Sequence, residues 1–429
     1  MSDILEIFNS GLSAVLPAGL IRRRVGLKGN TLQVMDRDFN LSNYRDIYVI
    51  GAGKASLGMA EEVERVLGKR IKTGVCCVPV KYTELERIEV METSHPIPDE
   101  RSVKGTEKAI SILRNTGKED LIICLFSGGG SSLFALPAGD ITLEDKEKTI
   151  SLLLMSGADI KEINTIRKHI SGVKGGRLAT EAYPSTVISL LISDVVGDDI
   201  SIIASGPTVS DDTTYRDCMN IIEKYNLMPP RRVLEHIRAG IKGDIAETPK
   251  SLPNVVNFVI GNNLLALESV REKAEGLRYN SIILSSQLEG EARDVARLLS
   301  MVAKEVVQSG NPVDVPACII SGGETTIRVV GSGKGGRNQE LALAFAIYVD
   351  GVEGIELLSA ATDGVDGPTD ACGAIVDGDV AGRARAQGLS PQEYLQDNNS
   401  YHFHKKVGTI LYTGPTHTNV GDIEIILCR

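Results

Sequence analysis

The 429-residue sequence predicts an α/β protein of two domains. Apolar runs that read as buried strands alternate with helical stretches from one end to the other, which is typical of a parallel sheet wrapped by helices. The chain is too long for one small core, so two domains are expected. Hydrophobic residues make up 42% and charged residues 24%, which is the composition of an ordinary globular protein.

Two series of buried strands are predicted in chain order. The first series comprises residues 47–53, 74–80, 121–129 and 185–194. Between its strands, apolar positions recur with helical spacing, as in residues 54–70 and 145–157. The second series comprises residues 255–263, 281–286, 317–323, 355–364 and 423–429. Residues 228–254 concentrate proline, glycine and charge and are the expected domain boundary.

The charge and the cysteines exclude several classes of protein. A net charge of -10 argues against nucleic acid as a general partner, because a phosphate backbone demands a basic face. No stretch approaches the roughly 20 apolar residues of a membrane helix, and the N-terminus lacks the basic region of a signal peptide. The seven cysteines are scattered without a C-x-x-C pair, which fits reduced thiols. We expect a cytoplasmic protein with no membrane partner.

Two of the predicted strands run into the same signal, Ser-Gly-Gly, at residues 127–129 and 321–323. A strand that ends in glycines and is followed by a helix start leaves several backbone N–H groups pointing at one spot. Those amides and the helix dipole favour a phosphate. The pair predicts two α/β halves that each present a polyanion loop. The alternative is a tight turn at each place, where glycine only supplies backbone freedom.

The first predicted strand ends in a loop that only partly matches a dinucleotide fingerprint. In GAGKAS, residues 51–56, Ser56 stands where the third glycine should be. No acidic residue ends the next strand to hold a ribose, and Lys72 and Thr73 lie near that place instead. Lys54 opposes the dipole of the following helix unless a phosphate occupies the site. The alternative is a surface lysine on a turn.

A basic loop follows in residues 166–179, where cationic side chains collect around glycines in an otherwise acidic protein. The cluster consists of Arg167, Lys168, His169, Lys174 and Arg177. The glycines indicate close approach to a ligand, whereas a solvated charge run is the alternative.

Residues 190–211 are dense in small and acidic side chains. Asp194 ends a strand, the position from which a carboxylate typically reaches a metal in α/β folds. Asp198 and Asp199 have the same potential, or cap the following helix. A further turn, Ser205–Thr208, could face a ligand.

The last motifs lie in the second series of strands. Arg337 opens a helix directly after two glycines, which suits a fork of donors aimed at a carboxylate or phosphate. Asp363, Asp366 and Asp370 gather in a glycine-punctuated loop after a strand. One such carboxylate could accept a proton from a substrate hydroxyl or hold a metal. A loop capped by its own aspartates is the alternative.

Taken together, these segments resemble the glycerate 2-kinases of the MOFRL-containing family, a kinase class distinct from the P-loop enzymes. The resemblance spans nearly the whole chain in the family's order: GAGKAS, SHPIPDERS, FSGGGSSL, NTIRKHISGVKGGRLA, SDVVGDDISIIASGPT, SGGETT, GGRNQELAL, ATDGVDGPTDACGAIVD and PTHTNVGD. It implies ATP-dependent phosphorylation of D-glycerate at the C2 hydroxyl, with Mg²⁺ or another divalent cation.

The resemblance also implies an architecture and a site. It implies a larger Rossmann-like N-terminal domain and a smaller α/β MOFRL-type C-terminal domain, expected at residues 1–240 and 241–429, with the active site in the cleft between them. Lys54 and Arg337 match the family's catalytic lysine and arginine, and Asp363 is our hypothesis for the base. The nucleotide is assigned to Gly128, Gly129, Gly130, Ser131, Lys174, Ser205, Gly206 and Thr208. The substrate is assigned to Lys54, Ser127, Arg337 and Asn338, and the metal to Asp194 and Glu324.

Two rival functions stay open at this point. An NAD(P)H-dependent hydroxypyruvate reductase is opposed by the departures from the dinucleotide fingerprint. A non-catalytic sensor of nucleotides or sugar acids would use the same two-domain cleft. The residues do not distinguish transfer to C2 from transfer to C3, and a homodimer is our working assumption for the oligomeric state.

Overall fold

The computed structural model describes residues 2–429, whose contacts divide into two compact units. One unit is Leu20–Ile260, and the other combines residues 2–19 with Gly261–Arg429. The domain boundary expected between residues 240 and 241 stays a prediction. In the structure, the chain passes from one compact unit to the other between residues 19 and 20 and again between residues 260 and 261.

Between residues 2 and 261 the structure describes ten α-helices and nine strands. In chain order they are α1 (Asp3–Ala14), α2 (Pro17–Arg24), β1 (Val25–Lys28), β2 (Thr31–Val34), β3 (Arg37–Asn40), β4 (Asp46–Ala52), α3 (Ser56–Leu67), β5 (Ile71–Val78), β6 (Ile88–Glu92), α4 (Glu100–Leu113), β7 (Asp120–Phe126), α5 (Gly130–Leu133), α6 (Leu143–Ser156), α7 (Ile160–His169), α8 (Arg177–Glu181), β8 (Thr186–Ile192), α9 (Tyr215–Lys224), α10 (Arg231–Lys242) and β9 (Val255–Gly261).

The C-terminal elements continue the same alternation of helices and strands. They are α11 (Asn263–Gly276), β10 (Asn280–Leu288), α12 (Ala292–Ser309), β11 (Ala317–Gly323), α13 (Arg337–Tyr348), β12 (Ile355–Ala361), β13 (Gly373–Asp377), α14 (Val380–Ala386), α15 (Pro391–Gln396), α16 (Ser400–Val407), β14 (Ile410–Leu411) and β15 (Asp422–Cys428).

The unit Leu20–Ile260 is built on a six-stranded sheet of order β6-β5-β4-β7-β8-β9. Its pairs β4·β5, β4·β7, β5·β6 and β7·β8 are all parallel. Every residue of β7 is buried, and its sequence is apolar from Leu121 to Phe126, because helices cover both faces of such a sheet. The predicted strands of the first series and the two predicted helices, α3 and α6, are confirmed.

The strand β9 lies in the first sheet, so its assignment to the second series is wrong. The Val187 amide donates to the Asn254 carbonyl at 2.8 Å, which joins this edge to β8. The expected boundary region contains the helix α10, which begins after Pro230 and ends at Gly243 in the left-handed conformation. The proline and glycine that suggested a linker are helix-terminating residues.

The second unit has a mixed sheet of order β10-β11-β15-β12-β13-β14. Only β10·β11 is parallel, so the expectation of a parallel sheet fails for the other pairs. The reason is that β15 inserts between β11 and β12 and runs antiparallel to both. Its first residue, Asp422, is therefore paired with the last residues of both neighbours, Gly323 and Ala361.

Among residues 2–429, no single helix is long and apolar enough to cross a membrane. The bent pair α1 and α2 passes the same test only on its combined length and composition. The side chains of Ile4, Ile7 and Phe8 in α1 are buried in this structure.

Candidate active site

The loops that follow β4 and β7 are packed tightly against each other at the carboxyl edge of the larger sheet. The Lys54 amide donates to the Gly128 carbonyl at 2.9 Å. Gly53 has a φ of 143°, and a Cβ there would lie 2.1 Å from the Ser127 Oγ, so only glycine fits. The Ser127 hydroxyl accepts the Ala55 amide at 3.0 Å and is buried. Ser127, predicted to bind substrate, therefore organises the turn that carries Lys54.

Lys54 and His95 both approach Gly129. A Cβ at Gly129 would lie 3.0 Å from the His95 Cδ2 and 3.3 Å from the Lys54 Cγ. Gly129 has a φ of +81° and precedes the short helix α5, so the predicted helix start after the first Ser-Gly-Gly is confirmed. The Gly130 amide donates to the Ser127 carbonyl at 3.2 Å.

The two ends of the predicted nucleotide-binding turn, residues 205–208, contact different parts of the unit. Ser205 bonds the Ser131 hydroxyl at 2.9 Å and the Asn164 side chain at 2.9 Å, which ties this turn to α5 and α7. The Thr208 hydroxyl instead contacts Ser189 and Asn257 at 3.0 and 2.8 Å and is buried between β8 and β9. Ser131 lines the cavity described next, whereas Thr208 and Gly206 do not.

A cavity of about 450 Å³ lies within the unit Leu20–Ile260. Gly129 and Ser131 form part of its lining, together with His95. Its charged lining residues are Lys146, Glu147, Arg167 and Lys174. Its apolar lining residues are Pro96, Ile97, Pro98, Ile150 and Leu154. Three cationic residues and one acidic residue thus line this cavity in a protein whose net charge is -10.

Burial depresses the basicity of all three cations in this cavity. Burial, and then the charge of Arg167, lower the pKa of Lys146 to about 8. Burial, together with the charges of Lys146 and Arg167, holds the pKa of Lys174 well below its usual range. Burial also lowers the pKa of Arg167. The Lys174 Nζ donates to the Ala204 carbonyl at 3.1 Å, and the Lys146 Nζ has no hydrogen-bond partner within residues 2–429.

The other basic side chains of the predicted loop have structural partners. Lys168 pairs with the buried Asp211 at 3.2 Å, and the His169 Nε2 lies 2.7 Å from Glu247. Arg177 donates to the hydroxyl of Tyr215 at 2.9 Å. Only Arg167 and Lys174 of that cluster reach the cavity. Lys146 was missed, although its sequence signal is a lysine on the face of α6 that also carries Thr149 and Leu153.

The second unit gathers its charged groups where β11 and β12 end and β15 begins. Arg337, the first residue of α13, bonds Asp422 through Nε at 2.5 Å and through Nη2 at 2.9 Å. Its Nη1 bonds Glu324 at 2.7 Å. Burial opposes the charge of Arg337, but the carboxylates of Asp422 and Glu324 outweigh it and raise its pKa. Asp422, which the sequence did not suggest as a site residue, thus holds the predicted catalytic arginine.

The three aspartates of the predicted loop have three different roles. Asp366 is buried and accepts the amides of Asn338 and Gln339 at 3.2 and 2.9 Å, which caps α13. Its pKa is raised to about 6 by burial. Asp363 accepts the Val365 amide at 3.0 Å, and Asp370 accepts the Tyr401 hydroxyl.

Asn338 is bound by the protein at both ends of its amide group. Its Nδ2 donates to Asp366 at 3.3 Å, and its Oδ1 accepts the Ser359 hydroxyl at 2.7 Å. These bonds fix the first turn of α13, which carries Arg337. The role of Asn338 in substrate binding stays a prediction.

The second Ser-Gly-Gly is not followed by a helix, so that part of the prediction is wrong. The amides of Glu324 and Thr326 donate to the carbonyls of Leu288 and Gly290 at 2.9 and 2.8 Å. A Cβ at Gly323 would lie 2.3 Å from the Leu288 carbonyl oxygen, so this glycine allows β10 and β11 to approach. The signal marks close strand packing here and offers no helix N-terminus to an anion.

Glu424 of β15 is a second carboxylate close to Asp422, and its side chain is buried. Glu424 accepts the Ser321 hydroxyl at 3.4 Å, and burial and the neighbouring Asp422 raise its pKa well above its usual range.

The strand β5 bears on the alternative of a nicotinamide site. Lys72 and Thr73 lie at the start of β5, since Ile71 already pairs with Ile47. The carboxyl end of β5 is Val78, followed by Pro79, so no acidic residue stands where a nicotinamide enzyme would hold its ribose.

Two family models match the chain. A model described as a domain of unknown function (DUF4147) matches residues 3–238, and the model of the MOFRL family matches residues 317–422.

The chain is also similar to individual proteins over most of its length. A glycerate 2-kinase of Pyrococcus horikoshii is 42% identical, covering 99% of this chain and 96% of its own. The crystal structure of a glycerate kinase from Thermotoga maritima has 40% identity and a TM-score of 0.88, covering 100% of this chain and 99% of that chain. A relative from Agrobacterium vitis, with the provisional name of a hydroxypyruvate reductase, is 42% identical over 88% of this chain and 86% of its own.

Proposed function

The chain belongs to the glycerate kinase family that carries a MOFRL domain, and we propose that it transfers the γ-phosphoryl group of ATP to the C2 hydroxyl of D-glycerate. The products are 2-phosphoglycerate and ADP. The observation that carries this proposal is the cationic cavity beside Lys54, at the carboxyl edge of the larger sheet. Ligands of open α/β sheets typically bind outside this edge.

Lys54 is proposed to neutralise charge on the phosphoryl group during transfer. Its position is fixed by the turn, because its amide is bonded to Gly128 and its neighbour Ala55 is bonded to Ser127. Phosphoryl transfer needs little covalent help, and positioned positive charge supplies much of the rate. We assign the nucleotide to Gly128–Ser131 and Lys174, with Ser205 positioning Ser131 through the hydroxyl contact at 2.9 Å.

Arg337 is proposed to bind the glycerate carboxylate in its own unit. Its guanidinium is held by two carboxylates, Asp422 and Glu324, which keep it charged. Asp363 is proposed to orient or deprotonate the C2 hydroxyl. Asn338 supports the same helix turn through Ser359 and is assigned to the substrate side.

A divalent cation, when bound, would neutralise charge on the phosphate oxygens. Asp194, which follows β8, and Glu324 are its proposed ligands, and their carboxylate oxygens suit Mg²⁺. No group of three or more His, Cys, Asp or Glu side chains in residues 2–429 is arranged to hold a metal. Most ligands would therefore be phosphate oxygens and water, as is usual for Mg²⁺ in kinases.

We further propose that the protein works in the cytoplasm as a homodimer. The seven cysteines are free and buried, as expected of a protein from a reducing compartment. The dimer is tested by light scattering coupled to size-exclusion chromatography, where a monomeric mass of 46.0 kDa would contradict it.

The activity is tested by one assay with three arms. Purified protein with ATP, Mg²⁺ and D-glycerate should release ADP. A hydroxypyruvate reductase would instead oxidise NADH in the presence of hydroxypyruvate and need no ATP. A sensor would be stabilised against heat by its ligands without releasing ADP. Either of the latter outcomes contradicts the proposed kinase.

A further inference from the structure

The cavity of the unit Leu20–Ile260 contains positive charge that the protein does not neutralise. Lys146, Arg167 and Lys174 all line it. Within residues 2–429, none of the three forms an ion pair with a carboxylate, and the one protein acceptor of Lys174 is the neutral carbonyl of Ala204. Lys146 is only 6% exposed and Lys174 only 1%, so water does not compensate their charges.

This arrangement is unfavourable for a protein without a ligand. A buried unpaired ammonium group is destabilising by several kcal/mol, and a buried lysine with a structural role is normally paired. The same unit shows the paired case in Lys168, which lies 3.2 Å from the buried Asp211. Three unpaired cations around one cavity therefore indicate a negatively charged ligand.

The number of cations identifies the class of anion. Glu147 also lines the cavity and offsets one of the three cations. The single carboxylate of D-glycerate would still leave one cation uncompensated, whereas a triphosphate carries several charges on neighbouring phosphates. We infer that Lys146, Arg167 and Lys174 together bind the polyphosphate group of the nucleotide. This inference rests on the proposed kinase function and adds Lys146 and Arg167 to its nucleotide-binding residues.

The remaining lining is consistent with a nucleoside polyphosphate. Ile97, Ile150 and Leu154 offer apolar surface, as a base requires. The hydroxyl of Ser131 and the backbone of Gly129 supply neutral polar groups in the same cavity. The volume of about 450 Å³ lies within the range of small-molecule sites.

The test uses Lys146→Met in the full-length protein. Methionine keeps an unbranched side chain that is one atom shorter and removes the charge. The matched control is Lys148→Met on the same helix, because Lys148 is exposed and paired with Glu144 at 2.6 Å. Binding of tripolyphosphate and of ADP is measured by calorimetry, without turnover. We expect Lys146→Met to weaken both by about 10- to 100-fold, the effect of losing one charge-assisted bond. The control should stay within about twofold of the wild type.

D-glycerate serves as the second probe. Its KM in the ADP-release assay should be the same in Lys146→Met and wild type. Unchanged tripolyphosphate affinity in Lys146→Met overturns the inference, and so does a selective loss of D-glycerate affinity, which would make the cavity the acceptor site. If Lys146→Met does not fold, as judged by circular dichroism, Arg167→Gln is read by the same criteria.

The binding measurements test the polyphosphate site and the activity assay tests the proposed function, so the two claims can be refuted separately. A wild-type protein that releases ADP, with an unaltered tripolyphosphate affinity in Lys146→Met, removes this inference and leaves the proposed function. A wild-type protein that binds tripolyphosphate through Lys146 but transfers no phosphate to D-glycerate removes the proposed function and leaves the polyphosphate site.

Discussion

Replacing Lys146 should stabilise the protein while impairing the ligand site, and the gain should depend on pH. In the unfolded chain the ammonium group of Lys146 stays protonated up to its ordinary pKa of 10.5, whereas in the folded protein its pKa is about 8. Between these values the unfolded state binds more protons, so stability of the wild type rises with pH. Below about pH 8 the full penalty of the buried charge is present.

The size of the effect follows from the two pKa values. Each pH unit between 8 and 10.5 changes the free energy of unfolding by about 1.4 kcal/mol, so Lys146 destabilises the folded state by about 3 kcal/mol at pH 7. The penalty falls to about 1 kcal/mol at pH 10. Removing the charge also relieves Lys174, whose pKa Lys146 lowers, and this acts in the same direction.

The assay is urea denaturation of wild type, Lys146→Met and Lys148→Met, without nucleotide, at pH 7, 8, 9 and 10. Lys146→Met should be more stable than the wild type by about 3 kcal/mol at pH 7, with the difference shrinking towards pH 10. Lys148→Met should stay within about 0.5 kcal/mol of the wild type throughout. A variant less stable than the wild type at pH 7, or a difference that does not change with pH, would refute the reasoning.

Three further predictions concern the catalytic groups. Lys54→Ala and Arg337→Ala should each lower kcat for ADP release by at least about 10²-fold, since each removes positive charge from the reaction, and near-normal turnover would exclude the residue from the chemistry. Asp422→Asn should lower the free energy of unfolding by about 3 kcal/mol, because it breaks the buried pair with Arg337, and a urea-denaturation loss under about 1 kcal/mol would contradict that. Asp363→Asn should lower kcat by about 10²-fold or more if its carboxylate takes the proton, and full activity would eliminate it as the base.

The parallel sheet could be predicted because its signals are local. Burial on both faces makes β4, β7 and β8 continuous apolar runs, and their loops carry the unusual groups. Lys54 and Arg337 could be proposed as site residues because each follows a glycine, just before α3 and at the start of α13. Their neighbours in the chain were sufficient for that inference.

The missed residues depend on contacts between distant segments. Asp422 meets Arg337 only because β15 inserts antiparallel between β11 and β12, which no local pattern indicates. Lys146 is buried in the folded unit, where α6 packs against α7 and α10, whereas an isolated helix would leave its ammonium group in water. The Ser-Gly-Gly signal at residues 321–323 misled for the same reason, since Gly323 is required by the close approach of the Leu288 backbone and Gly322 by that of Asn263 and Asp422.

Phosphorus NMR of the reaction with ATP, Mg²⁺ and D-glycerate tests the central claim most directly. The proposed function predicts that the product signal is that of 2-phosphoglycerate, that it grows together with ADP, and that Lys54→Ala suppresses it. A product phosphorylated at C3, or no phosphorylated product at all from folded protein, would contradict the claim.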